Sequence, residues 1–384
     1  MIGLLVIGVF QAALLVLLLL TKRKKSIPDY ILAGYLFLSA LLIFLTWLEI
    51  WGQNNNFHLL WLTNLRTPFI LLIGPILWLY VKSITDQHFR FKPKYLFTLI
   101  PFFLVLGLFA ARNYFHPQQA IAASPDTGPS VGQFFFFFVS GLIALSNLGY
   151  TLWGLLLIRR YKRALKTFFS STEKINLQWL DFILRAALIA YASISGLYII
   201  NGVFGFMGYQ VLQQAGYSIA ALLVLVIGFF GIRKGSIFTS SHIDFDMEKA
   251  IEVEDDPPDL TCEEEIFVRK LLDYMRAEKP YLNPEINLAS LSRQLKVSPE
   301  YLSGIINNRL SRNFFDFINH YRVEEFKQLC KDPKNKNLTL ISLAYDSGFN
   351  SKPTFNRVFK KEMNCTPSEY YSKVHLPDTS KLAS

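Results

Sequence analysis

A polar, basic helix face near the carboxyl end carries the side chains of this sequence that best suit recognition chemistry. The apolar spacing predicts a helix after Ser351, with Phe355 and Phe359 on one face and Ser351 as its cap. The opposite face presents amide, guanidinium and ammonium groups, on Asn356, Arg357 and Lys360. Gly348 separates this helix from a shorter one before it, because glycine accepts left-handed backbone. This pattern is typical of a helix-turn-helix unit, whose second helix fits the major groove of DNA.

The elements around this helix predict a helical domain with two such units. In the preceding unit, Ser298 can cap the second helix and Pro299 fits its first position. A long amphipathic helix over residues 314–331 is expected to join the two units. A closing helix begins at Thr366, three residues before Glu369, which is the spacing of a capping box.

This arrangement resembles the DNA-binding domain of the AraC/XylS family of transcription regulators. The resemblance covers residues 280–374 and is carried by Leu343-Ala344, Gly348-Phe349, residues 355–360 and residues 366–370. It implies two units, fixed by one stiff helix, that enter successive major grooves of promoter DNA. It also implies RNA polymerase as a partner and a homodimer bound at adjacent half-sites.

At matching positions the resemblance implies base contacts from both recognition helices. The second helix would use Lys352, Thr354, Asn356 and Arg357, and the first would use Glu300, Ser303 and Asn307. Arg357 could bind guanine, and Asn356 adenine, each with two hydrogen bonds. The expected phosphate contacts are Arg309, Arg312, Lys360 and Lys361, which would set register rather than sequence. From residue 286 onward fifteen Lys and Arg stand against nine Asp and Glu, which favours phosphate contact.

Three positions depart from the family's pattern. Phe326 stands where a small alanine is usual, so the packing of the long helix is expected to differ. Asn364 replaces a glycine after the last recognition helix, a mild change because asparagine tolerates a left-handed cap. Gly304 leaves a gap on the first recognition helix, so we expect the first unit to be the weaker reader.

The rest of the chain has the composition of a membrane protein. Of its 384 residues 52% are hydrophobic and only 18% are charged, below the quarter or so found in soluble domains. Seven apolar segments are long enough to cross a bilayer, which needs about 20 residues. They are residues 2–20, 30–50, 62–81, 95–111, 132–158, 180–204 and 215–232, of which the third is interrupted by Pro68, Gly74 and Pro75.

The predicted fold is therefore all-α, with a membrane region ahead of a helical DNA-binding domain. A seven-transmembrane-helix bundle occupies residues 1–234, an acidic linker 235–260, the double helix-turn-helix domain 261–376 and a tail 377–384. Basic clusters such as residues 22–25 and 159–166 fall in alternate loops, which places the amino terminus outside and the carboxyl terminus in the cytoplasm. We expect a multi-pass protein of the bacterial inner membrane.

Charged and aromatic residues on the predicted outer side form a candidate sensor pocket for a small-molecule or membrane-dissolved signal. They are Glu49 and Arg66, with Trp47, Trp61 and Asn64 nearby. The alternative interpretation is a satisfied charge pair within an aromatic belt at the membrane interface.

No pattern in the sequence indicates catalysis, a cofactor or a metal. The HExxH and GxSxG motifs and a phosphate-binding glycine loop are absent, and the three cysteines form no CxxC pair. These features together predict a membrane-bound, sequence-specific transcription regulator, and no enzyme. Two alternatives stay open. One is a transporter or receptor whose cytoplasmic domain binds proteins, and the other is a passively anchored regulator released by proteolysis in the linker.

Overall fold

The structure is a computed structural model, and it describes residues 2–23, 25–55, 66–86, 89–115, 131–172, 177–233 and 262–375. These residues form helices and turns, with one isolated β-bridge and no strand among them, which confirms the all-α prediction. They divide into two compact units. Residues up to 160 group with 177–233, and residues 161–172 group with 262–375. The predicted acidic linker lies outside the described residues, and the predicted domain boundaries stay predictions.

The first unit is built from long apolar helices. In chain order they are α1 (Ile2–Thr21), α2 (Ile27–Asn54), α3 (Ile73–Thr85), α4 (Ile100–Phe115), α5 (Val131–Phe168, shared with the second unit), α6 (Gln178–Phe204) and α7 (Tyr209–Arg233). A 3-10 turn, Pro93–Leu99, leads into α4.

Among the described residues, six stretches are helices long and apolar enough to cross a membrane. They are Gly3–Thr21, Ile27–Gly52, Arg66–Thr85, Pro93–Ala111, Phe137–Phe168 and Gln178–Phe204. The sequence predicted seven, so within the described residues the count is corrected to six. The predicted seventh segment does form helix α7, but its described apolar stretch, Val211–Ile227, is shorter than the other six.

The third apolar segment is a broken helix, as Pro68, Gly74 and Pro75 predict. A short helix at residues 66–70 ends in a turn, and α3 begins at Ile73. The backbone N–H of Gly74 donates to Oδ1 of Asn147 on α5 at 2.9 Å, so the break leaves this group satisfied. A side chain at residue 74 would lie 3.0 Å from Asn147, so this close approach favours glycine.

The second unit contains shorter amphipathic helices. They are α8 (Cys262–Ala277), α9 (Leu288–Leu295), α10 (Pro299–Gly304), α11 (Phe314–Lys331), α12 (Leu340–Asp346), α13 (Lys352–Met363) and α14 (Pro367–His375). A 3-10 turn, Pro280–Leu282, precedes α9, and a π-helical stretch, Ile305–Arg309, continues α10.

Helix α11 contributes to two separate hydrophobic cores. Phe314, Phe317 and Ile318 pack with α8, α9 and α10 in the first core. Phe315, Val323 and Phe326 pack with α12 and α13 in the second core. The predicted role of this helix as the connection between two helix-turn-helix units is therefore confirmed. Phe326, the departure from alanine, is fully buried, and its ring centroid lies 4.7 Å from that of Phe355.

Candidate nucleic-acid interface

Local capping interactions fix the two helices of the second helix-turn-helix unit. The Oγ of Ser351 accepts from the N–H of Thr354 at the start of α13, and Asn364 ends that helix with a φ of 54°. Gly348, between α12 and α13, has a φ of 92°. A side chain there would collide with the carbonyl oxygen of Tyr281 and would lie 2.9 Å from Cα of Leu282. The predicted cap, left-handed asparagine and glycine turn are thus confirmed.

Helix α13 presents a polar, basic face to solvent. Phe355, Val358 and Phe359 are buried on its inner side. Its exposed polar and charged side chains are Lys352, Asn356, Arg357, Lys360 and Lys361. These five predicted DNA contacts are therefore brought together on one helix face. The guanidinium of Arg357 lies 6.0 Å from the ring centroid of Phe315, and Lys361 forms an ion pair with Asp316 at 3.0 Å.

Thr354 does not share this exposed face, contrary to the expectation from sequence. Its exposed fraction is only 3%, because it occupies the third position of α13 and turns toward the domain interior. In this structure its hydroxyl cannot reach a base edge.

The first recognition helix is shorter and less regular than the second. After six α-helical residues the chain adopts a π-helical turn, and the N–H of Leu310 bonds to the carbonyl of Ile305. The wider turn places both Ile305 and Ile306 in the core. Ser303 is only 3% exposed and accepts from Nδ2 of Asn307 at 3.3 Å, so its expected base contact is not available in this structure. Glu300 is exposed and Asn307 is half-buried.

The expected phosphate contacts also differ in their surroundings. Arg309 is bound to Glu264 of α8, with Nη2 2.6 Å from the carboxylate, so its charge is neutralised within the domain. Arg312 is half-buried, whereas Lys360 is exposed. Lys360 and Lys361 are therefore the exposed members of the expected phosphate set, and of these Lys361 is paired with Asp316.

The candidate sensor pocket contains a buried ion pair in the first unit. Nη1 of Arg66 lies 3.1 Å from Oε2 of Glu49, and the two side chains are 3% and 1% exposed. Arg66 also donates to Oγ1 of Thr46, and its guanidinium carbon lies 4.9 Å from the ring centroid of Tyr217. Trp47 is half-buried and stacks on Phe44. Trp61 and Asn64 lie outside the described residues.

Sequence reasoning missed a buried arginine at the centre of the second unit. Arg322 is 1% exposed, and Nε and Nη2 donate to the carbonyls of Tyr281 at 2.8 Å and Asn283 at 2.9 Å. Burial lowers the pKa of its guanidinium to about 9. The missed signal is its spacing, because Arg322 lies seven residues after Phe315 and four before Phe326, on a buried stripe.

Within the described residues no cluster of three or more His, Cys, Asp or Glu side chains could hold a metal ion. Several described polar groups of the second unit form caps and ion pairs instead, such as the Ser351 cap and the pair of Lys361 with Asp316.

Two helix-turn-helix units on one long helix, with a basic recognition face, define a helical domain of the DNA-binding class. A model of the family described as "Helix-turn-helix domain" matches residues 291–373. Over 92 residues the chain is 32% identical to YijO, an uncharacterized HTH-type transcriptional regulator of Escherichia coli K12; the match covers 24% of this chain and 31% of that protein. Over 82 residues it is 33% identical to PqrA, a probable transcription factor of Proteus vulgaris; the match covers 20% of this chain and 67% of that protein.

The chain belongs to the AraC family of transcription regulators, as its sequence motifs predicted. It spans about a third of the length of YijO and two thirds of PqrA. No solved structure matches it significantly.

Proposed function

We propose that this protein is a membrane-bound, sequence-specific transcription regulator that couples a signal sensed by its apolar unit to promoter binding. The observation that carries this proposal is the exposed face of α13, where Lys352, Asn356, Arg357, Lys360 and Lys361 line one side of a capped helix. Such a helix fits the major groove, which is about 12 Å wide. The six long apolar helices support the membrane location.

In the proposed complex, α13 is the principal reader of DNA sequence. Arg357 donates two hydrogen bonds to guanine, Asn356 pairs with adenine and Lys352 reaches a base near the helix start. Lys360 and Lys361 bind phosphates and set the register. Glu300 and Asn307 supply the weaker readout of the first unit, because its π-helical turn and buried Ser303 leave fewer exposed groups.

The orientation proposed from the loop charges requires α7 to cross the membrane as well. At about 1.5 Å per residue, its 25 residues extend about 37 Å, more than the roughly 30 Å of hydrocarbon. Basic clusters at residues 22–25 and 159–166 would then lie in the cytoplasm with the DNA-binding domain. The amino terminus would lie outside.

The proposed sensing site is the Glu49–Arg66 ion pair. It joins α2 to the segment before α3, and the Arg66 guanidinium faces Tyr217 of α7. Buried ion pairs act in some proteins as devices that specify one arrangement, and a small-molecule or membrane signal that disturbs this pair would alter the packing of three segments. RNA polymerase and a second copy of the chain complete the proposed set of partners.

Selection from a random duplex library tests the proposal. Full-length protein in lipid nanodiscs would be used to enrich bound duplexes, with empty nanodiscs as the control. We expect one enriched sequence motif, and its absence would overturn sequence-specific binding. Reporter fusions at each terminus test the orientation separately, and an amino terminus found in the cytoplasm would contradict it.

A further inference from the structure

A short segment at the end of α5 and directly after it is built into the DNA-binding unit. Helix α5 runs on to Phe168, and its last residues group with residues 262–375 rather than with the apolar helices. We name residues 166–171 the docking segment. Phe168 packs against the core of the first helix-turn-helix unit, and Phe169 pairs with Asn287 in an antiparallel bridge.

Ser170 is the most deeply buried residue of the docking segment. Its side chain has no exposed surface, and its Oγ donates to the carbonyl of Ile286 at 2.6 Å, directly before α9. Nδ2 of Asn319, in the middle of α11, donates to the backbone carbonyl of Ser170 at 3.0 Å. Buried polar groups in folded proteins are normally hydrogen-bonded, as those of Ser170 are here. Specific hydrogen bonds therefore hold the docking segment in the DNA-binding unit.

Arg322 links the docking segment to both helix-turn-helix units. Its Nη2 donates to Oγ of Ser170 at 3.3 Å and to the carbonyl of Asn283, ahead of the first unit. Its guanidinium also lies 5.9 Å from the ring centroid of Phe349, in the turn of the second unit. Among the described residues no carboxylate forms an ion pair with Arg322. Its positive charge therefore depends on neutral oxygens, of which Ser170 supplies one.

The other end of the docking segment contacts the turn before the principal recognition helix. Ser171 and Asn350 exchange two hydrogen bonds, at 3.0 and 2.8 Å, immediately before the Ser351 cap of α13. Nζ of Lys166 lies 5.9 Å from the ring centroid of Phe315, the ring beside which Arg357 also lies. The segment thus contacts the start of the first unit, the long helix and the turn that positions α13.

We infer that the docking segment is an intramolecular partner of the DNA-binding domain, and that its docking sets the relative positions of the two helix-turn-helix units. The inference rests on the proposed function, since it identifies the route by which the apolar unit regulates DNA binding. A displacement of α5 would withdraw Ser170 from Arg322 and Asn319. The two helix-turn-helix units would then lose the contacts with the docking segment that they share.

Cysteine cross-linking in full-length protein tests the docking without DNA. In a background of Cys262→Ser, Cys330→Ala and Cys365→Ser, Ser171→Cys is combined with Asn350→Cys and treated with a mild oxidant or with dibromobimane. The matched control combines Ser171→Cys with Lys334→Cys, in the exposed turn after α11. We expect rapid cross-linking of the first pair only. Equal yields for both pairs would overturn the docking, whether or not the protein binds DNA.

The coupling is tested with Ser170→Ala in the otherwise unchanged chain. We expect faster hydrogen exchange in peptides that cover residues 281–287 and 346–352, and at least a fivefold loss of affinity for the selected duplex. Exchange and affinity that both match the unchanged protein would contradict the coupling. Cross-linking of the docked pair in a protein that binds no duplex would instead count against the proposed function and leave the docking supported.

Discussion

Arg357 is the single residue on which sequence recognition depends most in the proposed complex. Its guanidinium is exposed on α13, beside the ring of Phe315 and close to Asn356. Arginine forms two hydrogen bonds with guanine in a fixed geometry, which neither alanine nor lysine can reproduce.

We expect Arg357→Ala to weaken binding to the preferred duplex by about 1–3 kcal/mol and to relax preference at one base pair. Fluorescence anisotropy on the preferred duplex and its single-base variants measures both effects. Lys334→Ala is the matched control, because it removes an exposed positive charge outside the α13 face. An equal loss on every duplex would show that Arg357 contacts phosphate instead of a base.

A second residue-scale prediction concerns the thiol of Cys330. Burial in the second core raises the pKa of this thiol from about 9 to about 11. Because thiolate is the reactive form, only roughly 0.1% of Cys330 would be reactive at pH 8. In a variant whose only thiol is Cys330, we expect almost no iodoacetamide labelling of the native protein and full labelling after denaturation. Mass spectrometry measures the label, and rapid labelling of native protein would contradict the burial.

The same raised pKa has a consequence for stability. The folded state holds the Cys330 proton more tightly than the unfolded state does. This contribution to stability is therefore complete below pH 9 and is lost as the pH rises toward 11.

Among the elements of the second helix-turn-helix unit, the turn before α13 has the most constrained backbone. Gly348 combines a φ of 92° with close approach to the backbone of Tyr281 and Leu282, so two separate requirements select glycine. Gly304, in α10, has helical backbone, and a Cβ added there would meet no atom within 4 Å.

These two glycines give a matched pair of substitutions. We expect Gly348→Ala to destabilise the second unit by about 2–4 kcal/mol, through left-handed strain and collision with backbone. Gly304→Ala should be neutral or stabilise by up to about 1 kcal/mol, because alanine favours helix. Hydrogen exchange in peptides from α12 and α13 measures the difference. Similar protection in the two variants would contradict the geometry of the turn.

Element-level features were predictable where their causes are local in sequence. Ser298, Ser351 and Thr366 mark helix starts because a cap needs only a side chain and the next turn. The π-helical turn was not predictable, because the point at which the helix widens depends on how Ile305 and Ile306 pack in the core. The burial of Ser303 and Thr354 follows from the same tertiary packing.

At the scale of the whole molecule, composition indicated apolar helices ahead of a DNA-binding domain, and the described residues agree. The number of spans was less predictable, since the described apolar stretch of α7, Val211–Ile227, is shorter than the other six. The position of Ser170 beside Arg322 could not be predicted, because the two residues are 152 positions apart in sequence.

The central claim is that a protein held in a membrane reads DNA through α13. The most direct test measures the affinity of full-length protein in nanodiscs for the selected duplex across a range of salt concentrations. We predict specific binding that weakens steeply, with a slope of about −0.9 in log affinity against log salt for each phosphate contacted. An affinity that depends on neither the salt concentration nor the duplex sequence, or no binding at all, would contradict the claim.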